Sequence, residues 1–268
     1  MRGALLTVVS LIGAVACSSS TVADGGANVD DVPAETTDGL TVTATVRGVA
    51  DASCSTSVVR GLSDQLVAEI ACTNPGVLAS IAKMPHLQPS APTMPYLETA
   101  AATALRRVAA KAGTLAINSA LRTVPQQWLL FRWGAKKRCG IVVVMPPGQS
   151  THEPGLAVDV VEHERLKPVL ESEGFEWWGA DDAMHFTYHP SAVDGGATGE
   201  ALASDALASA DLAGEGVKAF QRLWNRNHPT DTIAESGVFD AATEVKLAAA
   251  PAKGFAKGAT CTPVYATP

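Results

Sequence analysis

Aromatic side chains are scarce in this chain, 14 among 268 residues, and none stands before Tyr96. Nine fall between Tyr96 and Tyr188, and five from Phe220 onward. Large side chains dominate core energetics, so one uniform domain running from the first residue is excluded. Basic runs are also missing, and 20 Lys and Arg against 27 Asp and Glu leave a net charge of −7. That balance excludes an electrostatic nucleic-acid binder. No Cys-x-x-Cys pair occurs among the five cysteines, which argues against zinc held by thiolates. No apolar run reaches the roughly 20 residues of a membrane-spanning helix. Apolar residues nevertheless make up 47% of the chain, enough for a core, although many are alanine.

The first segment reads as an address. Arg2 is followed by an apolar run from Ala4 to Val15, ending in Ala14-Val15-Ala16 directly before Cys17. This is a signal-type segment, too short to span a bilayer, and its small-small-Cys ending resembles the lipobox of bacterial lipoproteins. The resemblance implies that residues 1–17 are a signal peptide and that Cys17 is lipidated, anchoring an exported protein to a bacterial membrane. Residues 18–40 carry five acids, no base and no aromatic, a composition expected to form a disordered tether. With Cys17 set aside, Cys54, Cys72, Cys139 and Cys261 are an even number in an exported chain, and disulfides are expected. Three pairings are possible; the favoured one joins Cys54 to Cys72 and Cys139 to Cys261.

Beyond residue 40, short strands alternate with helices. Strands are expected at Leu40–Val49, Leu115–Ser119, Ile141–Met145, Leu156–Val161, Phe175–Trp178 and His185–Tyr188. Helices are expected at Val58–Ala71, Tyr96–Ala112, Thr123–Lys137 and Leu166–Glu173. The pattern indicates an α+β fold. It is expected as a small antiparallel sheet with flanking helices over residues 41–195, followed by a small helical domain.

Chemistry concentrates in Ser150-Thr-His152-Glu-Pro-Gly155-Leu-Ala157-Val-Asp159 and in Asp182-Ala-Met-His185. Two imidazoles and one carboxylate make three protein ligands of the kind that bind zinc and leave a fourth position for water. Asp182 is a candidate general base for that water. His86, His163, His189 and His228 lie outside any such pattern and read as structural or solvated. The cations Arg132, Lys136, Lys137 and Arg138 read as a solvated helix face.

The Ser-x-His-x-x-Gly-x-Ala-x-Asp run with its downstream acid-x-x-His resembles the zinc peptidases of the D-alanyl-D-alanine carboxypeptidase type. That group includes vancomycin-resistance D,D-peptidases, phage L-alanyl-D-glutamate endopeptidases and the zinc-bearing hedgehog domain. Upstream, Asn118-Ser119-Ala-Leu121-Arg122-Thr123 resembles the family's Ser-x-Tyr-Arg-Thr segment, with Leu121 in place of Tyr. The resemblance runs from about residue 58 to 190. It implies Zn2+ on His152, Asp159 and His185, Asp182 as acid/base, and Arg122 beside the substrate carbonyl or carboxylate near the metal. Ser150 would support the site; Trp177 and Trp178 read as core residues, with Trp178 the candidate to wall the cleft. The implied substrate is a peptidoglycan stem peptide, with D-alanyl-D-alanine carboxypeptidase activity the leading expectation. An endopeptidase, and a wall-binding protein that keeps zinc without turnover, are the alternatives.

After Pro190 the composition turns to Ala, Gly, Ser and Asp, and residues 196–212 are expected as a linker with a short helix near 201–210. Residues 213–268 then carry Val217-x-x-Phe220-Gln221 and Gly237-Val-Phe239-Asp240-x-x-Thr243. This pattern resembles a small three-helix peptidoglycan-binding domain. A monomer acting on peptidoglycan is expected, with no nucleic-acid partner.

Overall fold

Seven helices and seven strands are defined in residues 44–142, 144–189, 212 and 214–268, the residues that the computed structural model describes. The signal segment 1–17 with Cys17, the tether 18–40 and the linker through residue 211 lie outside them. The strands are β1 (Leu78–Ser80), β2 (Leu87–Pro89), β3 (Tyr96–Glu98), β4 (Leu115–Ser119), β5 (Ala157–Val160), β6 (Phe175–Trp177) and β7 (His185–Tyr188). The helices are α1 (Val46–Ala52), α2 (Arg60–Thr73), α3 (Thr99–Ala112), α4 (Val124–Ala135), α5 (His163–Ser172), α6 (Glu215–Asn227) and α7 (Ala241–Ala249).

The fold is α+β, and its main sheet has five strands in the order β2-β4-β5-β7-β6. It is mixed rather than purely antiparallel. β2 and β4 run parallel because helix α3 lies between them in sequence and carries the chain back, the crossover that a parallel pair requires. The remaining neighbours are antiparallel, and β1 and β3 form a separate antiparallel pair.

Two expected strands, Leu40–Val49 and Ile141–Met145, are not formed by their described residues. Residues 40–43 lie outside the described residues; from Thr45, whose side chain accepts the Gly48 N–H, the chain enters α1 instead. After α4, Lys137, Cys139 and Gly140 all have positive φ, and Ile141 and Val142 continue as an irregular loop with Val142 91% exposed. A disulfide explains the departure. Cys139 is bonded to Cys54, and Cys72 to Cys261, which corrects the expected pairing. The favoured short Cys54–Cys72 loop loses because α2 points Cys72 away towards the C-terminal segment.

Side-chain alternation gives the sheet two different faces. Val158 and Val160 of β5 and Phe186 and Tyr188 of β7 enter one core with Leu105 and Val108 of α3 and Leu166 and Leu170 of α5. Asp159, His185 and Thr187 fall on the opposite face. A second core joins Leu62, Leu66 and Ile70 of α2, Trp128 and Trp133 of α4, and Phe220, Leu223 and Trp224 of α6. Residues 214–268, the described part of the segment 213–268 expected as a separate domain, therefore share a core with α2 and α4. Buried Glu69 reinforces the junction by accepting from both Nη atoms of Arg226. Gly61 permits it, since a Cβ there would meet the Lys253 carbonyl oxygen at 2.3 Å. Among the described residues no helix is long and apolar enough to cross a membrane.

Two stability predictions arise from this packing. Cys72–Cys261 spans 189 residues, and closing a long loop restricts the unfolded chain most. Replacing both cysteines with serine is expected to lower unfolding free energy by about 2–4 kcal/mol, read from denaturant melts; an unchanged midpoint would contradict it. Glu173, at the end of α5, accepts from Arg107 and Lys111 of α3. Burial raises its pKa, but the two cations outweigh burial and hold it below the usual value. Its contribution is thus present above the unfolded carboxyl's pKa and disappears as pH falls through the folded one. Glu173→Gln is expected to cost about 1 kcal/mol at neutral pH and progressively less in acid. Equal losses at both pH values would refute this.

Candidate metal site and cleft

The polar face of the sheet collects its residues by register. Asp159 stands opposite His185 across β5–β7, and opposite Ser119 across β4–β5. A bulge between Ile117 and Ser119 shifts the β4 register; Ile117 enters the apolar core, while Ser119 lines the polar side. Bulges often re-aim side chains in this way beside functional sites. His152 reaches the same row from the turn before β5. That turn needs Gly155, whose φ is +77° and whose Cβ would lie 2.7 Å from the Glu98 nitrogen.

His152, Asp159 and His185 are all buried and form the one cluster of potential metal ligands among the described residues. Their inward atoms make a nearly equilateral triangle. His152 Nε2 lies 3.2 Å from Asp159 Oδ1 and 3.1 Å from His185 Nδ1, and His185 Nδ1 lies 3.2 Å from Asp159 Oδ1. A tetrahedral ion bound at about 2.0–2.2 Å needs donor atoms about 3.3–3.6 Å apart. The triangle is within a few tenths of an ångström of that spacing. The group could hold a metal ion.

The outer contacts suit that role. His152 Nδ1 is 2.7 Å from the Ala120 carbonyl, which can only accept, so the proton is on Nδ1 and Nε2 presents a lone pair. His185 Nε2 is 3.0 Å from Thr187 Oγ1 and 3.3 Å from Thr151 Oγ1, leaving Nδ1 towards the triangle. Ligand imidazoles are commonly held in this manner by their second nitrogen. One proton on His185 Nδ1 is the most that the three inward atoms can share, whereas a cation meets all three lone pairs. Burial, with the Arg122 charge second, pushes His152 down to about 4, so the ring is neutral and able to ligate at neutral pH. Burial acts to raise the Asp159 pKa, but the Arg122 guanidinium bonded to it overcomes burial and holds the carboxyl well below its usual range.

Arg122 donates through Nη2 to Asp159 Oδ2 and through Nε to Ser119 Oγ at 2.9 Å. Its backbone N–H bonds the His152 carbonyl at 3.0 Å. It therefore orients two members of the triangle while still lining the adjoining cleft. Ser150 is buried and its hydroxyl accepts the His152 N–H at 3.3 Å. Trp178 is partly exposed, with its ring edge-on to His185 at 5.7 Å.

A cleft of about 550 Å³ opens beside the triangle, with Arg122, Asp159, Asp181 and Asp182 on its wall. Asp182 sits in a single 3-10 turn, Ala180–Asp182, just before β7. Burial first, and the nearby Asp159 charge second, raise its pKa. The loop held by Cys54–Cys139 supplies another part of the wall through Gly140, Ile141 and Val142.

Sequence reasoning overlooked Thr151, Thr187 and Glu153. Thr187 was discoverable by alternation, being two residues beyond His185 on the same strand face. Glu153 is buried, its Oε2 accepting from Gly148 and Ser150 N–H groups, and burial raises its pKa to about 8. No motif signal marked it. His86, His163, His189 and His228 take no part in the triangle. Comparison of the chain with protein-family models and with curated proteins finds no match.

Proposed function

We propose that this chain is a zinc-dependent peptidase that hydrolyses peptide bonds in peptidoglycan stem peptides. The observation that carries the reading is the buried His152–Asp159–His185 triangle opening on a cleft that Asp182 and Arg122 share. Two imidazole nitrogens and one carboxylate oxygen on a short-edged triangle match zinc, which accepts a tetrahedral N/O set. Its resemblance to the D-alanyl-D-alanine carboxypeptidase group gives the substrate class.

Zinc, when bound, supplies a water that ionises at neutral pH and a Lewis acid that polarises the scissile carbonyl. The chain's own residues supply the rest. Asp159 and the two histidines fix the ion's place and contribute a single negative charge. Arg122 keeps Asp159 in that pose, and its charge at the cleft wall favours the developing oxyanion. Asp182 accepts a proton from the attacking water and returns it to the departing amine; its raised pKa suits a carboxyl that must carry a proton. Ser150, Thr151 and Thr187 hold the histidine geometry.

In the same reading the protein is exported and lipid-anchored through Cys17, with residues 213–268 keeping it on the wall. Two disulfides favour an oxidising compartment. Digestion of purified peptidoglycan by zinc-loaded protein, with products separated by mass, tests the activity. Shortened or cut stem peptides are expected, and their disappearance on chelation. Intact stems after exhaustive digestion would refute the proposal.

A further inference from the structure

We infer that the C-terminal end of α4, with the loop after it and the end of α1, docks on an anionic lipid surface. The inference rests on the lipid-anchor reading above and adds a second membrane contact to it. Its starting point is a gathering of like charges. Arg132 and Lys136 of α4 each reach the Asp51 carboxylate of α1 at 3.1 Å, and Arg138 lies 4.0 Å from it. Exposed Lys137 follows Lys136, and exposed Arg47 precedes Asp51 by one turn of α1. Hydrogen bonds from Lys136 first and Arg132 second lower the Asp51 pKa, as a positive surroundings requires.

The positive charge is in excess. The second acid at this end of α4 is Glu244, which accepts from Trp128 Nε1 one turn before Arg132. Among the described residues, five cations thus stand with two acids. In the adjoining cleft Asp159, Asp181 and Asp182 face Arg122 and, once zinc is bound, its two positive charges, which leaves no net charge there. Acids elsewhere on the chain are screened beyond about 8–10 Å at physiological salt.

Apolar side chains are exposed beside the cations. Ile141 and Val144 pack back on α4 at Gly134, where a Cβ would meet them at 3.3 and 3.0 Å. Gln127 Nε2 donates to the Met145 carbonyl at 2.7 Å. Gln127, Phe131 and Gly134 share one stripe of α4 by their i, i+4, i+7 spacing, so the loop lies beside Phe131. Phe131, Val142 and Met145 are 38%, 91% and 43% exposed. The Cys54–Cys139 bond ties this loop to the chain just after α1.

The mixture selects the partner. A soluble polyanion would satisfy the cations and leave the three apolar side chains in water. A bilayer interface takes both, with lipid phosphates on the cations and apolar groups at the acyl boundary. Residues 18–45 number 28, so the start of α1 stays within about 100 Å of Cys17 even at full extension. An anchored chain therefore meets its own bilayer at an effective concentration on the order of 1 mM, where a weak surface is enough. Val142 also lines the cleft, so docking brings the cleft mouth to the headgroup level.

The test is cosedimentation of the full chain with vesicles of phosphatidylcholine, alone or with about one third phosphatidylglycerol. The wild type is expected to bind the anionic vesicles at least about tenfold better at low salt, with the preference shrinking as salt is raised. Lys136→Glu with Lys137→Glu is expected to reduce that preference at least about tenfold, with the circular dichroism unchanged. Val142→Ser is expected to weaken binding to both kinds of vesicle at least about threefold. The signal segment and Cys17 are the same in every variant, so they cancel from these comparisons. Mass analysis of Cys17 tests the anchor by itself. An equal preference in wild type and double variant overturns the inference whether or not Cys17 is lipidated. So does a double variant that loses binding to cell wall carrying anionic polymer but keeps its binding to vesicles.

Discussion

Replacing His185 with alanine is expected to abolish tight zinc binding, weakening affinity by more than about 100-fold, and to reduce hydrolysis to background. Loss of an outer partner alone typically costs about 10–100-fold in affinity, and His185 is one of only three inward donors. The fold should survive. Phe186 and Tyr188, its neighbours on β7, face the opposite core and keep their packing. His152 is a poorer choice, because its ring is completely buried and bonded to Ala120. Competition against a chelator of known affinity reads the loss, with circular dichroism checking the fold. Wild-type affinity in a folded His185→Ala protein would remove the triangle from the account.

Asp182→Ala is expected to lower kcat by about 10²–10⁴-fold while zinc is still bound at one equivalent. The two readouts separate proton transfer from metal binding, which His185→Ala cannot do. Asp182 lies on the cleft wall rather than in the triangle, so its removal leaves all three donors and the Arg122–Asp159 pair in place. Asp181 lines the same cleft one residue earlier and serves as the control. Asp181→Ala is expected to retain most activity. If it is the damaging substitution and Asp182→Ala is not, the acid/base assignment moves by one residue.

The candidate ligands were legible because their signals are local. Asp159 sits in a short apolar strand, and Asp182 precedes His185 by three residues, spacings that survive whatever the rest of the chain does. Helices α2 and α4 were legible for a similar reason: the helical spacing of Leu62, Leu66 and Ile70 in α2 is short-range, and so is the proline, Pro125, in the first turn of α4. What escaped notice depends on distant partners. The disulfide pairing follows from where α2 carries Cys72 and where the loop after α4 leaves Cys139. The apolar run at residues 141–145 has strand composition, yet Ile141 and Val142 pair with no strand among the described residues. The shared core of residues 214–268 with α2 and α4 turns on Gly61 and the Glu69–Arg226 pair, neither of which forms a motif. Thr151 and the Ala120 carbonyl become meaningful only once the imidazoles are placed beside them.

The most direct test of the central claim is a zinc titration of metal-free protein, following stem-peptide hydrolysis and bound zinc together. Activity is predicted to rise in proportion to bound zinc and to saturate at one equivalent per chain. Full hydrolysis by metal-free protein, or none at one bound equivalent, would contradict the account.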